Sequence, residues 1–355
     1  MAKFSVIVPC YNLAPWIGAC LDSVLSQSFL DWECVVVDDE SRDESGAILD
    51  DYAARDARIR VIHQANKGEG GARNTGIAAA KGEWVFFLDG DDVMASGALQ
   101  HLDRLITAYP DEQLIRFGYE QFQDGTGWAS PCVGGRAECR DITRHIAMPD
   151  FYTFVSQHLY RRTVIQDIHF KKYKRGCDRV FVDDVLLNRV NSFVETSAVL
   201  YGYRIRSGSA MNSIPTVQVL KDEMWHRRDL VLMIEASKKS VDYSGSWWLE
   251  RYFTDEFARL ASVKPANDRK LLWREWYKCV KDMKDAKGLS ARTRRIYQLS
   301  CLLPSRPVWW LLVRFLPWYR RRGLLPRIAR RVRMCLNKVC HEKCFAFCKA
   351  KLTKF

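Results

Sequence analysis

Twelve cysteines occur in 355 residues, yet no two form a CxxC pair, so the ligand spacing of a zinc ribbon is missing. Several of them (Cys10, Cys20, Cys34) sit inside apolar runs and read as reduced, buried small hydrophobes. No stretch approaches the ~18 consecutive apolar residues of a membrane span. The first apolar run, FSVIVP, is too short for the core of a signal peptide. These absences predict a cytosolic body. The glycine-rich stretch GEGGARNTG contains neither a Walker GxxxxGK[ST] nor a clean GxGxxG opening a helix after a strand, which argues against P-loop ATP hydrolysis and dinucleotide redox chemistry. Net charge is also missing from most of the chain. The first 300 residues balance to zero, and the whole +13 comes from residues 301–355. With 48% hydrophobic and 27% charged residues, the chain is a folding one rather than a disordered one.

Strand and helix patterns alternate through the first 110 residues. FSVIVP (4–9), WECVVV (32–37), IRVIH (59–63) and EWVFFL (83–88) are short apolar runs of the buried-strand type. Between them, a helix follows Pro15 with Ile17, Leu21, Val24 and Leu25 on one face. Ser41 and Glu44 fit a capping box opening a second helix that runs to about Arg55. A third helix lies within KGEGGARNTGIAAAKG (67–82). A fourth, about 96–109, turns Leu99, Leu102, Leu105 and Ile106 inward. The pattern predicts an α/β fold with a mostly parallel sheet covered on both faces. From 111 to 210 it is mixed, with strand-like LIRFGYEQF and LYGYRIR, and 215–300 reads as charge-balanced amphipathic helices.

Ligands of a parallel sheet bind beyond the carboxyl ends of its strands. There the chain places Pro9-Cys10-Tyr11-Asn12, Asp38-Asp39-Glu40-Ser41 and Asp89-Gly90-Asp91-Asp92. An aromatic ring and two acidic clusters on one rim suit a divalent cation or hydroxyl-rich groups, because Mg²⁺ and Mn²⁺ prefer oxygen ligands. The competing explanation, acids that only cap the following helices, accounts for one cluster better than for two. Any pyrophosphate would then be held through a metal, as in nucleotide-sugar chemistry.

The segments VIVPCYN, a helix ending LSQSF, WECVVVDDESRD and GGARNTGIAAAKGEWVFFLDGDD resemble, in order and spacing, the family 2 inverting glycosyltransferases. FVDDVLLNRV (181–190) and LYGYRIRSGSA (200–210) are similar to the family's acidic base motif and its YxYRxRxxS segment, so the resemblance spans roughly residues 1–210. It implies a GT-A, Rossmann-like fold and a cell-surface polysaccharide role of bacterial type. Pro9 and Tyr11 fall at the nucleotide base, with Asp38 and Asp39 hydrogen-bonding base or ribose and Arg73 near the base and the acidic cluster. Asp89 lies toward the ribose, Asp91 binds Mn²⁺ or Mg²⁺, and Asp92 is a further metal candidate. Asp184 matches the family's base. Asp183 stands where the family has Glu, which leaves both acids open for that role. Arg204, Arg206 and Ser209 close over the diphosphate or line the acceptor site. His158 reads as structural.

The tail VWWLLVRFLPWYRRRGLLPRIARRVRMCLNKV sets Ile328, Val332, Cys335 and Val339 at helical spacing between Arg327, Arg330, Arg331 and Arg333. That pattern predicts an interfacial helix beside anionic lipid, with Trp309, Trp310 and Trp318 at headgroup level. No nucleic-acid-binding module is present. Cys340, Cys344 and Cys348 form a helical stripe that reads as buried apolar surface rather than a metal site. The expected division is a catalytic domain at 1–212, with a nucleotide-sugar half (1–110) and an acceptor half (111–212), a helical extension (213–300) and the basic tail (301–355). The expected enzyme is cytoplasmic, peripheral on the inner face of the membrane, and moves a hexosyl or N-acetylhexosaminyl group from a UDP-sugar to a glycan or polyprenyl-linked acceptor. The rival readings are a catalytically silent sugar-nucleotide-binding scaffold and a nucleotidyltransferase, whose usual glycine-rich basic signature is missing.

Overall fold

A computed structural model describes residues 2–129, 134–142, 154–173, 176–206, 216–237 and 266–282. Ser209, the cysteine stripe and the whole of 301–355 lie outside them. The chain divides into two compact units, one made of Met1–Trp248 with Lys270–Ser290, the other of Leu249–Arg269 with Ala291–Phe355. All that follows concerns the first. It extends past residue 212, because Leu230 joins its core.

The N-terminal half alternates as the apolar runs predict: β1 (Phe4–Cys10), α1 (Ala14–Leu25), β2 (Trp32–Asp38), α2 (Ser45–Arg55), β3 (Ile59–His63), α3 (Glu69–Ala79), β4 (Trp84–Phe87), β5 (Val93–Met94) and α4 (Ala98–Ala108). Then come β6 (Leu114–Gln123), β7 (Ala137–Asp141), β8 (His158–Arg161), the short α5 (Arg162–Ile165), α6 (Cys177–Asp184) with a π-turn over Val185–Arg189, β9 (Ser192–Ile205), α7 (Val217–Ala236) and α8 (Ala266–Asp282).

One sheet runs β3-β2-β1-β4-β8-β6-β9-β5, with β7 on β9. Its first four strands are parallel. Beyond β4 the sheet is mixed, since β8 is antiparallel to both neighbours and β6 runs parallel to β9. Alternation along β1 feeds two cores. Val6 and Val8 face the layer of α1, α2 and α4, while Ile7 faces that of α3 and α6. The α3 layer approaches very closely: a Cβ on Gly76 would lie 2.3 Å from Ile7 Cγ2.

The capping box at Ser41 and Glu44 does not form. Helix α2 starts at Ser45 without a side-chain cap. Ser41 Oγ instead accepts the Asn12 N–H at 3.0 Å, and Asp43 accepts the N–H groups of Ser45 (3.0 Å) and Ala14 (3.1 Å). Residues 41–44 therefore tie the β2 turn to the β1 turn. Asn12 and Glu40, with φ of 53° and 67°, mark the tight bends of those turns.

Candidate active site

Because β1 lies between β2 and β4, the turns after all three strands share one rim. Tyr11, nearly half exposed at 45%, stands there with its ring open to solvent. Asp39 is buried, and its carboxylate accepts Gln64 Nε2 at 2.7 Å and the backbone N–H groups of Lys67 and Gly68, both at 2.8 Å. It anchors the loop between β3 and α3, leaving little of the carboxylate for a ligand. Asp38 accepts the Ser41 N–H at 3.1 Å and faces His63 at 2.8 Å.

The DGDD turn gives its three acids different surroundings. Asp92 is fully buried. It accepts the Tyr201 hydroxyl at 2.6 Å and the Arg204 N–H at 2.7 Å, and burial followed by the Asp91 and Asp89 charges raises its pKa. Asp92 thereby fastens the turn to β9. Asp91 keeps 22% of its side chain exposed and receives Arg206 Nε at 2.7 Å. Burial, then the neighbouring Asp89, also lifts its pKa. Asp89 meets Arg73 Nη2 at 2.7 Å, and its own N–H donates to the Tyr201 hydroxyl.

Arg73 is fully buried and gathers three carboxylates, Asp89 and Asp178 at 2.7 Å each and Glu69 one helical turn away. Burial alone disfavours the charged guanidinium, but Asp178, Glu69 and Asp89 outweigh it and hold Arg73 charged. Asp178 was not foreseen. It lies in the first turn of α6, just after Gly176, whose φ of +82° lets the chain turn into the helix. The one hint in the sequence is an Asp two residues after a glycine at a helix start.

The acids expected to supply the base lie at the other end of α6. Asp183 is 2% exposed, holds Arg179 at 2.6 Å and has its pKa raised by burial. Its carboxylate is engaged in this internal ion pair. Asp184 is half buried and accepts Asn188 Nδ2 at 2.6 Å. Neither joins the Arg73 cluster, from which ~9 Å of helix rise separates Asp184.

Arg204 and Arg206 reach the DGDD turn from the end of β9, which pairs with β5 at Val93–Gly202. Arg204 Nε donates to the Asp91 carbonyl at 2.8 Å. The Arg206 guanidinium lies 4.3 Å from the ring centre of Trp16. Trp16 Nε1 donates to Asp124 at 3.1 Å, which also pairs with Arg204. Trp16 and Asp124 are further unforeseen members of this rim. His158, as expected, is internal: it is fully buried, Nδ1 contacts the Phe154 carbonyl at 2.9 Å, and burial pushes its pKa down to about 3.

Among the described residues no three His, Cys, Asp or Glu side chains form a closed metal site. The oxygen-only pair Asp89–Asp91 nevertheless fits a hard divalent ion that takes its remaining ligands from phosphate and water. Burial first and the Asp89 charge second raise the Asp91 pKa, and Arg206 offsets them only in part.

A mixed sheet flanked by helices, with acids and arginines gathered on the carboxyl rim of its parallel half, is the GT-A architecture. Residues 5–168 match the model of "Glycosyl transferase family 2". The chain is 41% identical over 170 residues to the glycosyltransferase EpsJ of Bacillus subtilis, covering 46% of this chain and 48% of EpsJ. It is 29% identical over 225 residues to the glycosyltransferase GlyG of Streptococcus pneumoniae, covering 59% and 73%. The chain thus spans about half the length of EpsJ. In fold it is similar to Staphylococcus aureus TarS 1–349 in complex with UDP-GlcNAc, at a TM-score of 0.70 and 23% identity, over 90% of this chain and 92% of that one.

Proposed function

We propose that the chain is a metal-dependent, inverting glycosyltransferase that moves a sugar from a UDP-sugar to a glycan or lipid-linked acceptor in bacterial surface-polysaccharide synthesis. The observation that carries this reading is the meeting of Asp89 and Asp178 on the buried Arg73 guanidinium, beside Asp91. Donor-side and acceptor-side carboxylates are thereby fixed to one rigid cation. The UDP-GlcNAc complex of TarS, a protein of the same fold, supports a nucleotide-sugar donor.

In this reading Tyr11 stacks on the base, and Asp38 and Pro9 shape the pocket around it. Asp91, with Asp89, would hold Mn²⁺ or Mg²⁺, which when bound offsets charge on the departing diphosphate. Arg206 and Arg204 stand ready for the same phosphates, and Ser209 follows them in sequence. Asp178 is the general base. It takes the proton of the acceptor hydroxyl as that oxygen attacks the anomeric carbon and the bond to the diphosphate breaks. Arg73 orients Asp178 through their ion pair. Single displacement on one face gives inversion. The basic tail places the enzyme at an anionic membrane surface. Among the described residues no helix is long and apolar enough to cross a membrane.

Release of UDP from UDP-sugars tests the assignment. Asp178→Asn should lower turnover by about 10²–10⁴-fold with UDP binding retained, Asp91→Asn should lose the response to Mn²⁺, and Asp184→Asn should stay near wild type. A dead Asp184→Asn beside an active Asp178→Asn would return the base to Asp184. A wild type that binds UDP-sugars tightly but never turns them over would instead be a silent binding protein.

A further inference from the structure

The parallel register of β2 and β3 sets Asp38 directly beside His63. His63 Nδ1 lies 2.8 Å from Asp38 Oδ2, and Nε2 lies 3.0 Å from Asp50 Oδ1 on α2. A carboxylate oxygen only accepts, and a neutral imidazole has a single N–H. One of the two contacts would then set a nitrogen lone pair against a negative oxygen. Only the doubly protonated ring donates to both. The ring is half exposed, at 49%, so it exchanges protons with solvent.

Asp38 passes this constraint on. Its other oxygen accepts the Ser41 N–H at 3.1 Å, Ser41 Oγ accepts the Asn12 N–H, and Asn12 Oδ1 accepts the Arg42 N–H at 2.7 Å. The two turns that carry Tyr11 and Asp38 are laced together through these bonds. Gly46 on α2 lies beside the pair: a Cβ there would make ordinary contact, 3.6 Å from Asp38 Oδ2 and 3.9 Å from His63 Cε1.

We propose that His63, as an imidazolium bridging Asp38 and Asp50, is a positioning residue that fixes the nucleotide-base wall of the donor pocket and makes affinity for a nucleoside diphosphate fall as pH rises. The proposal rests on the donor reading of this rim. The groups facing the ring are Asp38 from β2 and Asp50 from α2, and hydrogen bonds to these two raise its pKa above the ordinary imidazole value. Cys10 of β1 also faces Asp38, but burial pushes its thiol up to about 12, so it stays neutral throughout. The sign follows. Below the raised value the bridge is intact and binding is tight. Above it one hydrogen bond becomes a repulsion, and the Asp38 turn is released. The ring's contribution to fold stability is lost over the same interval.

The test is calorimetric titration of the full chain with UDP and Mg²⁺ between about pH 6 and 9, the range spanning a raised histidine. The wild type should lose affinity by about fivefold or more across one step. Asp50→Asn, an exposed change on α2, should move that step to lower pH. His63→Gln should show only the change that the titration of UDP itself imposes, without the wild type's additional step. Identical profiles for wild type and His63→Gln, with UDP still binding, overturn the proposal and leave the donor reading standing. No UDP binding at any pH in any variant overturns both. Should His63→Gln fail to fold, an unmoved step in Asp50→Asn overturns the proposal by itself.

Discussion

Arg73 carries a full positive charge where no water reaches it, and three carboxylates converge on it from α3, the DGDD turn and α6. Removing one partner of a buried ionic cluster leaves the others desolvated and mutually repelling, which costs about 3–5 kcal/mol. Arg73→Ala should therefore lower stability in urea by that amount. Arg73→Lys should recover only part of it, because a single ammonium cannot span the fork that meets Asp89 and Asp178 together. An unfolding midpoint unchanged in Arg73→Ala would show that these carboxylates are solvated and the cluster is not a unit. At this scale the sequence was only partly informative. Tyr11, Asp89 and Asp91 were placed on the rim by the strand ends, and Arg73 beside the acidic cluster by the family resemblance. Asp92 was not distinguishable from Asp91, because its burial depends on Tyr201 and Arg204, more than a hundred residues later. The contact of Asp178 with Arg73 was not legible either, because it depends on how the start of α6 meets α3.

The elements were easier to read, and the reason is physical. Strands β1, β2 and β4 are buried on both faces, so their sequences are largely apolar runs that stand out from the amphipathic helices between them. The second half resists such reading because β6 and β9 are long, partly exposed and bulged, and the two-residue β5 has no pattern of its own. The Ser41–Glu44 capping box failed for a related reason: tertiary hydrogen bonds to the β1 turn claimed Ser41 before the helix could. The closest contact between layers is a second test at this scale. With Gly76 pressed against Ile7 Cγ2 on α3, Gly76→Ala forces the helix off β1 and should destabilise by about 1–3 kcal/mol despite the better helix propensity of alanine. Ile7→Ala, which removes the opposing Cγ2, should cost less in that background than in the wild type. A thermal midpoint that rises in Gly76→Ala would mean that the layers can separate without cost.

For the molecule as a whole, charge is the property that sequence alone distributes. The first 300 residues are neutral and the last 55 carry +13. Each Lys or Arg near an anionic bilayer contributes about 1 kcal/mol, and the attraction fades within a Debye length. Four arginines interleaved with apolar residues, Arg327, Arg330, Arg331 and Arg333, are therefore sufficient to decide whether the enzyme rests on such a surface. Reversing all four to Glu in the full chain should abolish co-sedimentation with phosphatidylserine-containing vesicles and leave UDP-sugar hydrolysis in solution unchanged. Wild-type binding should weaken steeply between about 0.05 and 0.5 M salt, because the electrostatic reach shrinks over that range. Binding that survives the reversal would assign membrane contact to the tryptophans instead, Trp309, Trp310 and Trp318, since apolar insertion is indifferent to salt. Loss of hydrolysis together with binding would place the tail in the catalytic unit's own fold. A lipid-linked acceptor adds a kinetic consequence. Transfer to it should fall in the reversed variant through a higher KM on vesicles, while transfer to a soluble analogue of the same glycan keeps its wild-type rate.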